Sequence, residues 1–161
     1  PVEIDFEKLE NSRIVLSDNV KETLNNIMLT TITDNKEIGF ICYGMEYIEN
    51  QVILDEIIIS DSLLKSEVTE FGPIITEQLK RKINSNVDDR TVVCLGHSHP
   101  KISEDYEYFS LTDLSSLMEL TLKKEEFKNK DMQLIGCLIS KDIKFAYYNP
   151  DDDKFYKMTV N

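Results

Sequence analysis

The sequence predicts an α/β fold, a sandwich in which a mixed β-sheet is flanked by helices, with residues 1–161 as a single domain. Three observations carry this. Strand-like and helix-like segments follow one another in the order β-α-β-β-α-β-α-β-β. One strand, residues 91–96, is apolar throughout, of the kind a sheet buries on both faces. No repeat, low-complexity stretch or Gly/Ser linker divides the chain. At this length folding hides roughly 70% of the unfolded chain's surface, enough for a core without cross-links.

Each element has a local cause. Residues 12–16 read as a short strand, and Ser17 or Asn19 can cap a helix whose Val20, Leu24, Ile27 and Met28 recur at helical spacing. That helix ends near Thr33, before an Asp34-Asn35 turn. Residues 37–43 and 51–59, the latter rich in β-branched residues, form a hairpin through a polar loop at Glu49-Asn50. Residues 60–72 are a polar connection. Pro73 opens a second helix with Ile75, Leu79 and Ile83 on one face, and residues 84–89 break it. After the apolar strand, a third helix runs over residues 111–127 with Leu111, Leu114, Met118 and Leu122 at helical spacing. Strands at 133–140 and 143–148 follow, with a last short one near 155–159.

The 41% hydrophobic and 30% charged residues are those of a soluble globular protein, and no apolar run approaches the roughly 18 residues that span a bilayer. The N-terminal residues are acidic and lack the apolar core of a signal peptide. Cys42, Cys94 and Cys137 are odd in number and lie inside apolar runs, which predicts buried free thiols in a reducing cytoplasm. A net charge of −12, without a basic patch, repels phosphate backbones and argues against nucleic acid as a partner.

The chemistry concentrates at Gly96-His97-Ser98-His99-Pro100. The chain has only two histidines, and they stand two residues apart. In extended backbone such residues project to one side, so His97 and His99 can offer two imidazole nitrogens to one metal, and Pro100 biases His99 toward that geometry. A catalytic zinc takes three protein ligands and keeps a position for water. With the cysteines buried, the third ligand is a carboxylate. Asp113, in the first turn of the third helix, is the foremost candidate, although Ser110-Leu111-Thr112-Asp113 is equally an ordinary capping box. Glu104, Asp105 and Glu107 are the alternatives. A base for the water and a donor for the oxyanion are also required, and spacing alone does not reveal them.

His97-Ser98-His99-Pro100 followed by Ser110-x-x-Asp113, after a strand opening Glu37-Ile38-Gly39-Phe40-Ile41-Cys42-Tyr43-Gly44, resembles the JAMM (MPN+) family of zinc metalloproteases over residues 12–148. The resemblance implies an MPN (cytidine-deaminase-like) sandwich and one zinc per chain held by His97, His99 and Asp113. It makes Glu37 the general acid/base and Ser110 a donor to the tetrahedral intermediate. It also implies a prokaryotic-type, deubiquitinase-like activity, cleaving after the C-terminal glycine of a ubiquitin-like protein, with E1- and E2-like conjugation enzymes as associates. Extended, glycine-ended tails can add as strands beside such a site. A catalytically silent MPN scaffold and a processing peptidase for a sulfur-carrier-like protein are the alternatives. Two features depart from the family pattern: residues 100–109 make a longer spacer before Ser110, and Phe40 replaces a glycine, with Gly39 one position earlier. The enlarged segment offers Glu104, Asp105, Tyr106, Glu107, Tyr108 and Phe109 to line a substrate channel.

Overall fold

In a computed structural model, residues 7–35, 37–48, 51–59, 84, 92–101, 107–127 and 131–160 are described. They form seven strands: β1 (Glu7–Leu16), β2 (Gly39–Ile48), β3 (Gln51–Ile59), β4 (Val92–Ser98), β5 (Gln133–Ile139), β6 (Ile143–Asn149) and β7 (Lys154–Val160). Helix α1 (Asp18–Asp34) follows β1, and helix α2 (Leu111–Leu122) precedes β5, with a short 3-10 turn at Lys124–Glu126. The helix expected from Pro73 and the loop at residues 60–72 lie outside the described residues.

The strands close into a mixed barrel in the order β1-β3-β2-β4-β5-β6-β7. This overturns the expected α/β sandwich, the MPN (cytidine-deaminase-like) arrangement included. The physical reason lies in β1, which is twice the expected length. Its Arg13–Leu16 pair in parallel with Gln51–Leu54 of β3. On its other side Glu7, Lys8, Arg13 and Ile14 pair in parallel with Tyr156, Lys157, Thr159 and Val160 of β7, with a register shift between Lys8 and Arg13. Two would-be edges thus satisfy each other's backbone groups, and closure removes the unpaired ladder an open sheet would present.

Within the barrel wall, β2 is antiparallel to β3 and β4, β4 is parallel to β5, and β5-β6-β7 is an antiparallel meander. Side-chain alternation divides the core in two. Phe40, Cys42, Val92, Cys94, Ile135, Cys137 and Ile139 face the side where α1 packs Val20, Leu24 and Ile27. Ile41, Tyr43, Val93, Leu95 and Leu134 face the other side, against Leu120 of α2 and Phe127. The three cysteines are buried free thiols, as the apolar runs around them predicted.

Ser17 is the N-cap of α1, its hydroxyl accepting the Val20 N–H at 3.3 Å. Asn35 ends that helix in the left-handed region (φ 55°), its N–H bonded to the Thr31 carbonyl at 2.9 Å. Helix α2 departs from the sequence reading: Leu111 and Leu122 are exposed, while Asp113, Leu114, Ser116, Leu117, Leu120 and Thr121 are buried. That set is also helically spaced, and choosing it turns Asp113 toward the sheet.

At Gly44 the β2–β3 register shifts, and a Cβ built there would stand 1.8 Å from the Ile53 carbonyl oxygen. The obstacle is backbone, so it cannot rotate away. Gly44→Ala is expected to destabilise the barrel by about 3 kcal/mol, measured by denaturant unfolding. A midpoint equal to the wild type's would show that the bulge yields freely.

Candidate metal centre

Strand β4 positions the histidines. It was expected to stop at residue 96 but extends to Ser98, because β2 pairs with it up to Gly39↔His97 and β5 up to Ser98↔Ile139. His99 N–H then donates to the Ile139 carbonyl at 2.9 Å, prolonging the ladder by one residue. Laddering on both sides leaves this segment little freedom. Alternation sends His97 and His99 to the α2 face and Ser98 to the α1 face.

Gly96 makes room for Phe40 at this strand end. A Cβ there would lie 2.1 Å from the ring of Phe40, a fully buried side chain of the α1-side core. The same strand end thus packs tightly on one face and presents two imidazoles on the other.

Asp113 meets the histidines from α2. The capping box is real: Asp113 N–H donates to Ser110 Oγ at 3.0 Å, and Ser110 N–H donates to Asp113 Oδ2 at 2.9 Å. Capping and ligation were rival expectations for Asp113, and the geometry accommodates both. The box fixes the carboxylate through Oδ2 and aims Oδ1 at His97. Lys144 secures the approach to Ser110, its Nζ donating to the Glu107 carbonyl and lying 5.5 Å from the centre of the Tyr108 ring.

The three side chains converge. His97 Nε2 and His99 Nε2 are 3.0 Å apart, His97 Nε2 and Asp113 Oδ1 3.2 Å, and His99 Nε2 and Asp113 Oδ2 3.4 Å. Tetrahedral zinc with ligands at about 2.0–2.1 Å has ligand–ligand edges of roughly 3.3–3.4 Å, so the separations suit donors around one ion. Asp113 Oδ1 is buried and makes no hydrogen bond despite the nearby imidazole. Such a lone pair, aimed past its neighbour, suits a cation between the two. All three residues are buried, at 2%, 3% and 6% exposure. Together they are a group that can hold a metal ion. Burial alone would push the Asp113 carboxyl up, but His97, His99 and the Ser110 N–H outweigh it and hold the group well below the usual carboxylate range.

Glu37 was expected on a strand, yet β2 starts at Gly39 and Glu37 lies just before it, half-buried. Gly39 is level with His97, and Ser98 N–H donates to the Ile38 carbonyl at 3.0 Å. Continuing this register brings Glu37 level with His99. Ile38 packs on the α1 side, so alternation directs Glu37 to the histidine face. Of the alternative ligands, Glu107 instead pairs with Lys141 at 3.1 Å, and Glu104 and Asp105, with Tyr106, lie outside the described residues. Phe109, Leu95, Leu117 and Gly136 line an apolar cleft beside His97 and Asp113.

Neither a family model nor a curated protein matches this chain. The site is therefore defined by its own geometry. Two residues to which the sequence reading assigned no role also shape it: Ser98, inside the His-Ser-His stretch but facing away from the histidines, and Thr31 on α1.

Asp113→Asn keeps an oxygen for the capping box but loses the charge a dication requires. In the wild type, zinc at a hundred times its Kd is expected to add about 2.7 kcal/mol to the unfolding free energy, reversed by chelator. The variant should gain almost nothing at the same zinc concentration. Equal gains in both proteins would place the ion elsewhere.

Proposed function

We propose that this protein is a zinc-dependent peptidase or isopeptidase that hydrolyses the bond following the C-terminal glycine of a ubiquitin-like modifier. One observation carries the reading: His97, His99 and Asp113 converge at 3.0–3.4 Å, and Glu37 lies two residues before Gly39, the partner of His97 on the adjoining strand. Two imidazoles and a carboxylate form a donor set that hydrolytic zinc sites use while keeping one position open. The likeness to the JAMM family supports the reading through Glu37, His97, His99, Ser110 and Asp113. It rests on those five residues and not on the sandwich, which the barrel replaces.

When bound, the metal supplies a water acidified to a pKa of about 7 and polarises the scissile carbonyl. With the metal held by His97, His99 and Asp113, Glu37 would be the residue that takes up the proton of the attacking water and passes it to the leaving amine, so that the amine would depart neutral. Ser110 Oγ accepts the Asp113 N–H, which orients the oxygen and leaves the hydroxyl proton for the carbonyl oxygen as negative charge develops there. Burial of the ligands strengthens these interactions by excluding competing water.

The barrel changes how the tail is held. Strand β4 has a partner on each side along its length, so a tail cannot add to it next to the histidines. The surface left for the tail is framed by residues 107–109 and the start of α2. A chain ending in glycine suits this position, since it brings no side chain against the ligands. The partners in this reading are the modifier, its conjugates and E1- and E2-like enzymes, and the net charge of −12 favours a basic or mixed surface on them. No described helix is long and apolar enough to cross a membrane, and the buried free thiols fit the reducing cytoplasm this reading assigns.

Glu37→Gln should keep one zinc per chain while slowing cleavage of a modifier fusion by 10²- to 10⁴-fold, on the order general acid/base catalysis contributes. Ser110→Ala should lower kcat by roughly 10²-fold. Metal content by mass spectrometry and cleavage by gel are the measurements. A wild-type protein that purifies and assays without metal, or a Glu37→Gln variant as fast as wild type, would overturn the reading.

A further inference from the structure

Between the two ligating histidines, Ser98 is fully buried with its side chain on the opposite face. Its Oγ accepts the backbone N–H of Ile38 at 2.9 Å and lies 2.6 Å from the Thr31 hydroxyl, which donates to it. Its own N–H completes the contact by donating to the Ile38 carbonyl at 3.0 Å. Ile38 is therefore gripped through both of its backbone polar groups by one residue of β4. Thr31 is also used twice, since its carbonyl accepts the N–H of Asn35, the left-handed residue that ends α1. Asn35, just after α1, and Ile38, just before β2, are thus each held by backbone hydrogen bonds, and Glu37 immediately precedes the held Ile38.

We infer that Thr31 and Ser98 are positioning residues that set Glu37 against the metal centre by clamping the Ile38 amide. This rests on the assignment of Glu37 as the proton-transfer group. Ile38 N–H belongs to the peptide unit whose carbonyl is that of Glu37, so the hydrogen bond to Ser98 Oγ fixes the plane from which the Glu37 side chain departs. Ser98 also lies between His97 and His99 in sequence, so one residue ties the position of the base to that of the ligands. Proton transfer requires the heavy atoms to come within about 2.6–3.2 Å, and small misplacements of a reacting group cost as much as 10²-fold in rate. A direct link of this kind is a physical means of holding that distance.

The clamp predicts a division between kcat and the other properties. Thr31→Val preserves shape and removes only the hydroxyl, and Ser98→Ala removes the acceptor of the Ile38 N–H. Both zinc-loaded variants should keep one zinc per chain and the wild-type KM for a modifier fusion. Their kcat should fall about tenfold or more, and Thr31→Ser and Ser98→Thr, which restore the hydroxyls, should recover most of it. Amide exchange provides a readout independent of catalysis: Ile38 should exchange at least tenfold faster in Ser98→Ala than in wild type, while the amides of β5 stay unchanged.

Unchanged Ile38 exchange in Ser98→Ala would overturn the clamp. Faster exchange with unchanged kcat would overturn its positioning role. Loss of zinc or a raised KM in both hydroxyl-deletion variants would make the pair a support of the ligands instead. If wild-type protein loads zinc and cleaves no modifier fusion, the peptidase reading and the positioning role fall together, and Ile38 exchange still decides whether Ser98 clamps Ile38.

Discussion

Strand β4 is hydrogen-bonded along both sides, to β2 and to β5, and the other features of the site depend on that constraint. A strand held from two sides cannot slip, because a shift of one residue would exchange its two faces. That register gives Val93, Leu95 and His97 to the face of α2, and Val92, Cys94 and Ser98 to the face of α1. The imidazoles are thereby presented on a rigid support. Buried neighbours hold the strand on both faces, Phe40 against Gly96 on the α1 side and Ile41, Tyr43 and Leu120 around Val93 and Leu95 on the α2 side.

The second constraint is electrostatic. A carboxylate as buried as Asp113 costs several kcal/mol of lost hydration unless positive charge or hydrogen-bond donors replace the water. The Ser110 N–H supplies one donor, and the two imidazole nitrogens stand close by. Yet Oδ1 makes no hydrogen bond, and the two Nε2 atoms share a 3.0 Å contact that only one proton can occupy. A divalent cation would relieve both at once, by charging the space between the three groups and using lone pairs that otherwise oppose one another. The capping box already holds the carboxylate in place, so little of the energy of binding an ion would go into ordering it.

Much of this was legible in the sequence, for local reasons. The His97–His99 spacing is a property of extended backbone, and Ser-x-x-Asp is a property of a helix start, so both could be read from neighbouring residues. The positions of β3, β5 and β6 followed from β-branched and apolar runs, and the Ser17 cap from a single side chain. Barrel closure was not legible, because it depends on the pairing of β1 with β7 across nearly the whole chain, and no local pattern records which strands meet. The extension of β4 through Ser98 was missed for the same reason: a polar His-Ser-His stretch reads as loop until the strands on either side of it are known. On α2 two helically spaced faces compete, and the one through Leu111 and Leu122 is the more apolar. The other prevails because Asp113 has partners on the sheet and Leu111 has none to lose.

X-ray absorption at the zinc edge is the sharpest measure of whether one ion sits among His97, His99 and Asp113. The expected spectrum for stoichiometrically loaded protein shows four nitrogen or oxygen neighbours at about 2.0–2.1 Å, with outer-shell scattering from two imidazoles and none from sulfur. A sulfur neighbour at about 2.3 Å would move the ion to the cysteines. A spectrum without imidazole scattering would contradict the site itself.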